Sequence, residues 1–166
     1  MGRPEQQAGS TVTHPSAAEA QRIAETVRDG MFAQDNASKG LGMAVDSVGP
    51  GTARIGMTVR ADMLNGFAMC HGGFITTLAD SAFAFACNSY NHLTVASGIV
   101  VDFLAPAHEG DRLTASAHEV SRTGSTGVYD IAVTNQHGKT VAVMRGRSHT
   151  LKGRHVVEPH PAASQT

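Results

Sequence analysis

His71 to Asn88 reads HGGFITTLADSAFAFACN. The stretch lacks proline and any strict alternation of apolar and polar positions, and it is rich in alanine, so it favours helix. Phe74, Ile75, Leu78, Ala79, Ala82, Phe83, Ala84, Phe85 and Ala86 would point in nearly every direction around that helix. A helix that is apolar all round belongs inside a fold. Its single carboxylate is Asp80, and it has no Lys or Arg. The rest of the chain therefore has to cover this helix.

Strand character follows it. Leu93–Leu104 ends before Pro106, and Leu113–Val120, Val128–Asn135 and Thr140–Leu151 each alternate or are β-branched. The turns between them are Glu109-Gly110-Asp111, Thr123-Gly124-Ser125 and His137-Gly138-Lys139. Upstream, Ser16 can cap a helix to about Asp29, with Ile23 and Val27 on one face. Two short strands, Met43–Val48 and Ala53–Val59, flank the hairpin signal Pro50-Gly51. Short connections imply antiparallel pairing. The expected class is α+β, a six-stranded antiparallel sheet wrapped around one long buried central helix. Residues 1–17 and 154–166 lack apolar periodicity and read as disordered tails around a single domain over 18–153.

The bulk numbers narrow the function. A chain of 166 residues fits one domain with a real core. Thirteen basic residues against fourteen acidic ones, a formal net charge of -1, give no electrostatic case for nucleic acid or an anionic membrane. No apolar run is long enough to span a bilayer and no charged-then-apolar leader opens the sequence, which makes a cytoplasmic protein the expectation. Cys70 and Cys87, on one helix, would lie about 26 Å apart at the helical rise and cannot bridge within the chain. The nine histidines show no metal-ligand spacing, so no metal is expected.

Asn65-Gly66, Cys70-His71-Gly72-Gly73 and Leu78-Ala79-Asp80 resemble the hotdog-fold acyl-CoA thioesterases of the phenylacetic acid degradation (PaaI) type. Val101-Asp102-Phe103-Leu104, Thr126-Gly127-Val128-Tyr129-Asp130-Ile131 and Arg145-Gly146-Arg147-Ser148-His149 are similar to the same group. The resemblance covers about Ile23 to Gly153. It implies hydrolysis of an aromatic acyl-CoA of the phenylacetyl or hydroxyphenylacetyl kind. Coenzyme A enters as part of the substrate, with no separate cofactor, and the partners implied are further copies of the chain in a homotetramer. It also implies a role for Asn65 in positioning the acyl carbonyl or the water, and for His71 in orienting the turn or the substrate.

The residues suit that chemistry. The first N–H groups of a helix lack intrahelical partners, and with the helix dipole they can hold a thioester oxygen as it gains charge. Gly72 and Gly73, without Cβ atoms, let a carbonyl approach the backbone. Asp80 can act as nucleophile or as general base for a water, and the sequence leaves both open. Gly72 and Asp80 are eight residues apart, about 12 Å along the helix. Reacting groups must come within about 3–3.5 Å. A two-fold partner could set its Asp80 opposite this chain's Gly72, so a dimer is expected to be obligatory.

For coenzyme A, the resemblance points to Gly73, to the turn Ser125-Thr126-Gly127, and to Arg145 and Arg147. Many relatives carry Arg where this chain has Ala105, in Phe103-Leu104-Ala105-Pro106. Arg112, Arg122 and Arg154 are the candidates to replace it. Plainer readings stand beside these: Asp80 as a structural carboxylate paired with a distant Arg, the glycines as packing residues, His71 as a helix-start residue, and Asn65 as a left-handed turn residue. Cys70, near a helix start and His71, is a conceivable nucleophile without a third partner. The competing functions are an acyl-thioester hydratase or dehydratase on the same fold, and a non-catalytic acyl-CoA-binding protein.

Overall fold

Helix α1, Ala17–Gln34, begins where the Ser16 hydroxyl accepts a hydrogen bond from the Glu19 N–H at 3.3 Å. The computed structural model describes residues 15–158. Most of both expected tails lies outside these residues. α1 buries Ala24 and Val27 and runs past the expected end near Asp29, through Gly30. A short helix α2, Asn36–Gly40, is capped by Asp35, whose carboxylate accepts from the Ser38 N–H at 2.9 Å. Strands β1, Ala44–Gly49, and β2, Thr52–Thr58, form the hairpin expected at Pro50-Gly51, with Gly51 at φ +70°. A 3-10 turn, Ala61–Met63, leads toward the long helix α3, Gly72–Asn88. Strands β3 (Thr94–Phe103), β4 (Arg112–Thr123), β5 (Thr126–Thr134) and β6 (Thr140–Thr150) complete the chain.

All six strands join one antiparallel sheet in the order β1-β2-β4-β5-β6-β3. α3 crosses its concave face. Leu78, Ala82 and Ala86 are fully buried there, among Ile55, Leu113, Val133 and Val141. Each large aliphatic side chain buried in this way is worth about 1.5–3 kcal/mol. Phe83 sits over Gly146 of β6 and beside Tyr129, ring centroids 5.3 Å apart. Phe83 and Phe85 are core residues, 1% and 2% exposed.

Three further features differ from the sequence reading. β3 does not pair with its sequence neighbour β4 but closes the far edge beside β6, from Thr94↔Thr150 to Phe103↔Ala142. Its other edge is unpaired among the described residues. α3 is also not covered all round: Gly73, Thr77, Asp80 and Ala84 form a stripe that stays at least partly exposed. Residues 154–158, read from sequence as the start of a tail, lie against the body. The Leu93 N–H donates to the Arg154 carbonyl at 3.0 Å, and Val157 exchanges two 3.0 Å bonds with the Asn91 side chain. Among the described residues no helix is long and apolar enough to cross a membrane, and no cluster of three or more His, Cys, Asp or Glu could hold a metal.

Candidate active site

The start of α3 is held from two sides. The Cys70 N–H donates to the Ala107 carbonyl and the His71 N–H to the Met63 carbonyl, both at 2.8 Å. His71 is the N-cap, in an extended conformation, and its Nδ1 accepts from the Gly73 N–H at 2.9 Å. That bond places the ring proton of neutral His71 on Nε2. It also satisfies the Gly73 donor. The Gly72 N–H has no partner among the described residues and is the free donor at the positive end of the helix. A Cβ on Gly72 would meet the Phe103 ring at 2.8 Å, so a side chain here would have to displace that ring.

Asn65 organises the preceding loop. Its Oδ1 accepts from the Phe67 and Met69 N–H groups at 2.9 and 3.3 Å. The left-handed residue of this loop is Ala68, at φ 56°, not Asn65. The Asn65 Nδ2 has no hydrogen-bond partner among the described residues, so its two protons are available to a ligand. Asn65, Gly72, Met69 and Phe103 line one cleft of about 500 Å³, together with Leu104 and Ala105. An arginine at position 105 would stand at this cleft.

Asp80 occupies a different hollow, of about 320 Å³, lined by Met31, Phe83, Ala84, Cys87, Val95 and Val156 among others. Burial alone pushes its carboxyl above the ordinary carboxylate range. No ion pair or hydrogen bond among the described residues engages it, which leaves the plainer reading of a structural pair without a partner. Cys70 is buried, and desolvation followed by the Asp111 charge pushes its thiol up, opposite to what a nucleophile needs.

Of the coenzyme A candidates, Gly73 lies at the start of α3 with its N–H taken by His71, whereas Ser125, Thr126, Gly127 and Arg147 fall toward the Asp80 end of β3. Thr126, His149 and Val95 are in register across β5, β6 and β3, as are Gly127, Ser148 and Ala96. Ser125 lies in the β4–β5 turn, and its carbonyl accepts from the Thr150 N–H at 2.8 Å. Arg147 lies over Gly98, where a Cβ would stand 2.9 Å from its guanidinium, and it forms no ion pair among the described residues. Arg145 is instead tied to Asp130 by two 2.7 Å bonds. Arg112 pairs with Asp46 at 3.5 Å, and Arg122 pairs with Glu119 and covers the Tyr90 ring at 3.9 Å. Arg154 forms no ion pair among the described residues. Sequence reasoning missed Met31 and Val156 as lining of the Asp80 hollow. Neither lies in a motif, and only the packing of α1 and the C-terminal segment brings them there.

Comparison with known proteins identifies the family. Residues 67–142 match the family model described as Thioesterase superfamily. The chain is 49% identical over 123 residues to the acyl-coenzyme A thioesterase PaaI of Escherichia coli K12, covering 74% of this chain and 88% of that protein. The structure of the E. coli PaaI protein from the phenylacetic acid degradation operon superposes with a TM-score of 0.80 at 45% identity, over 81% of this chain and 98% of that one. A Streptococcus mutans UA159 protein solved bound to acetyl CoA matches with a TM-score of 0.65 at 26% identity, over 68% of this chain and 90% of that one. The chain belongs to the thioesterase superfamily as a hotdog-fold acyl-CoA thioesterase of the PaaI type, a hydrolase of thioester bonds.

Proposed function

We propose that the enzyme hydrolyses aromatic acyl-CoA thioesters, of the phenylacetyl or hydroxyphenylacetyl class, in a site shared between two subunits. One observation carries the shared site: within one chain the free donor at Gly72 and the unpartnered Asp80 open into separate hollows. A two-fold mate supplies the missing half to each. The long unpaired edge of β3, with Val95, Ile99, Val100 and Phe103 all exposed, is a surface that a second copy would cover. The homotetramer expected from the family is two such dimers. The aromatic substrate rests on the likeness to E. coli PaaI and on the apolar hollow beside Asp80. Two free, buried cysteines suit a reducing cytoplasm.

In the general-base form of the reaction, the Asp80 carboxylate takes a proton from water as the oxygen adds to the thioester carbon. The carbonyl oxygen becomes an oxyanion against the partner chain's Gly72 N–H, with the Asn65 Nδ2 beside it. The C–S bond then breaks and the sulfur leaves with the proton, giving free acid and coenzyme A. In the nucleophilic form Asp80 attacks the same carbon, the C–S bond breaks and the thiolate leaves to be protonated as coenzyme A. Water then opens the resulting anhydride to free acid and the Asp80 carboxylate. Thr126, Gly127 and Arg147 receive the nucleotide end.

The test is free-thiol release from a panel of acyl-CoAs, comparing wild type with Asp80→Asn. Release from phenylacetyl-CoA that drops at least about hundredfold in a folded variant is expected. Turnover retained in Asp80→Asn, or full activity in a monomer, would overturn the shared carboxylate mechanism.

A further inference from the structure

The segment 154–158 is fastened to the body at several points. Asn91, in the left-handed conformation at φ 59°, faces it with both ends of its amide: Nδ2 donates to the Val157 carbonyl and Oδ1 accepts from the Val157 N–H, each at 3.0 Å. The Asn91 carbonyl is 2.8 Å from the His155 Nδ1. α1 accommodates the segment as well. A Cβ at Gly30 would run into Val157, so a glycine, costing about 1 kcal/mol inside a helix, keeps that seat open. The two valines divide the work. Val157 faces α1, while Val156 lines the hollow that contains Asp80.

We propose that this clasped strap is a wall of the acyl pocket, and that Val156, which lines the hollow together with Met31, limits the size of the acyl group admitted beside Asp80. The inference rests on the shared-site thioesterase reading and adds to it the specificity-determining residue. It follows from geometry: the hollow measures about 320 Å³ and its lining is apolar apart from Asp80 and the polar groups of Asn88 and Thr94. A single aromatic acyl group is of that scale. Removing two methyl groups from Val156 lengthens the pocket by about the reach of a methylene or two, and a methylene in an apolar pocket is worth about tenfold or more in discrimination.

The experiment measures binding, so that it does not depend on turnover. Two non-hydrolysable coenzyme A thioethers, S-benzyl-CoA and S-(4-phenylbutyl)-CoA, are titrated by calorimetry into wild type, Val156→Ala, Val156→Phe and Asn91→Gly. The last keeps the left-handed backbone and removes only the clasp. The expected result is a Kd ratio shifted about tenfold toward the longer thioether in Val156→Ala, and the opposite shift in Val156→Phe. Asn91→Gly should lose discrimination through weaker closure of the wall. Ratios unchanged in both Val156 variants would overturn the proposal, as would failure of S-benzyl-CoA to bind the wild type. Hydrolysis of the matching thioesters by wild type is assayed separately: its absence with size selection intact would sink the thioesterase reading and leave the wall standing.

Discussion

Gly146→Ala offers the sharpest test of how the sheet holds the central helix α3. A Cβ there would lie 2.9, 2.9 and 3.0 Å from three carbons of the Phe83 ring, where ordinary contact starts at 3.4 Å. Phe83 is 1% exposed and backed by Tyr129 at 5.3 Å, so a ring pushed off Gly146 would have to turn toward the hollow it lines beside Asp80. Overpacking of this kind costs about 1–3 kcal/mol. Against it, alanine restricts the unfolded chain more than glycine does, a gain of about 0.4–1 kcal/mol. The clash wins, with a net loss of about 0.5–2 kcal/mol expected. The strain is relieved by moving α3, and Asp80 lies one turn before Phe83. A displacement of the carboxylate approaching 1 Å would reduce kcat by about tenfold to hundredfold. Urea unfolding and thiol-release kinetics measure both effects, and Phe83→Leu supplies the control. On that background the added methyl should cost at least about 0.5 kcal/mol less. An equal cost on both backgrounds, or Gly146→Ala as stable as wild type, would refute the packing argument.

Other substitutions probe the site directly. Burial raises the Asp80 carboxyl, so its folded pKa exceeds its unfolded one; the linked stability is present below the unfolded value and lost as pH rises through the folded one. Asp80→Asn should therefore stabilise the protein by about 0.5–2 kcal/mol at pH 7 and by nothing near pH 3, as thermal melts at both pH values would show. Asn65→Asp keeps both acceptor bonds of the loop and loses the free Nδ2 donor, so kcat should fall about hundredfold with stability unchanged. Asn65→Ala should in addition lose about 1–2 kcal/mol in denaturant titration. Arg145 is already committed to Asp130, so Arg145→Ala should leave KM for acyl-CoA within about twofold, whereas Arg147→Ala should raise it about fivefold or more at low salt.

The buried helix was legible because an apolar surface on every side of an alanine-rich segment has no other home, and Ser16 and Pro50-Gly51 announced their elements locally. The placement of β3 was not legible. Its alternation marks a strand, but nothing local says that it skips β4 to lie beside β6; that choice is made by α3 crossing the sheet face. The end of α1 was missed because Gly30 reads as a stop, whereas its missing Cβ serves the seat of Val157. The motif Cys70-His71-Gly72-Gly73 located a helix start and its donors, yet it could not show that the His71 ring occupies one of them. Arg145 and Arg147 look equivalent in sequence. Only strand register puts Asp130 across from the first and Gly98 across from the second.

The separation of the Gly72 cleft from the Asp80 hollow has a genetic consequence. If each site draws its donor from one subunit and its carboxylate from the other, a chain damaged at Gly72 and a chain damaged at Asp80 are each inactive alone. Their mixed dimer rebuilds one intact site and concentrates both lesions in the other. Random pairing of the two chains would restore about a quarter of the wild-type sites. Two defective alleles in one cell could then support growth that neither supports by itself, while a single Asp80 allele expressed beside wild type would poison only the site to which its own carboxylate is lent.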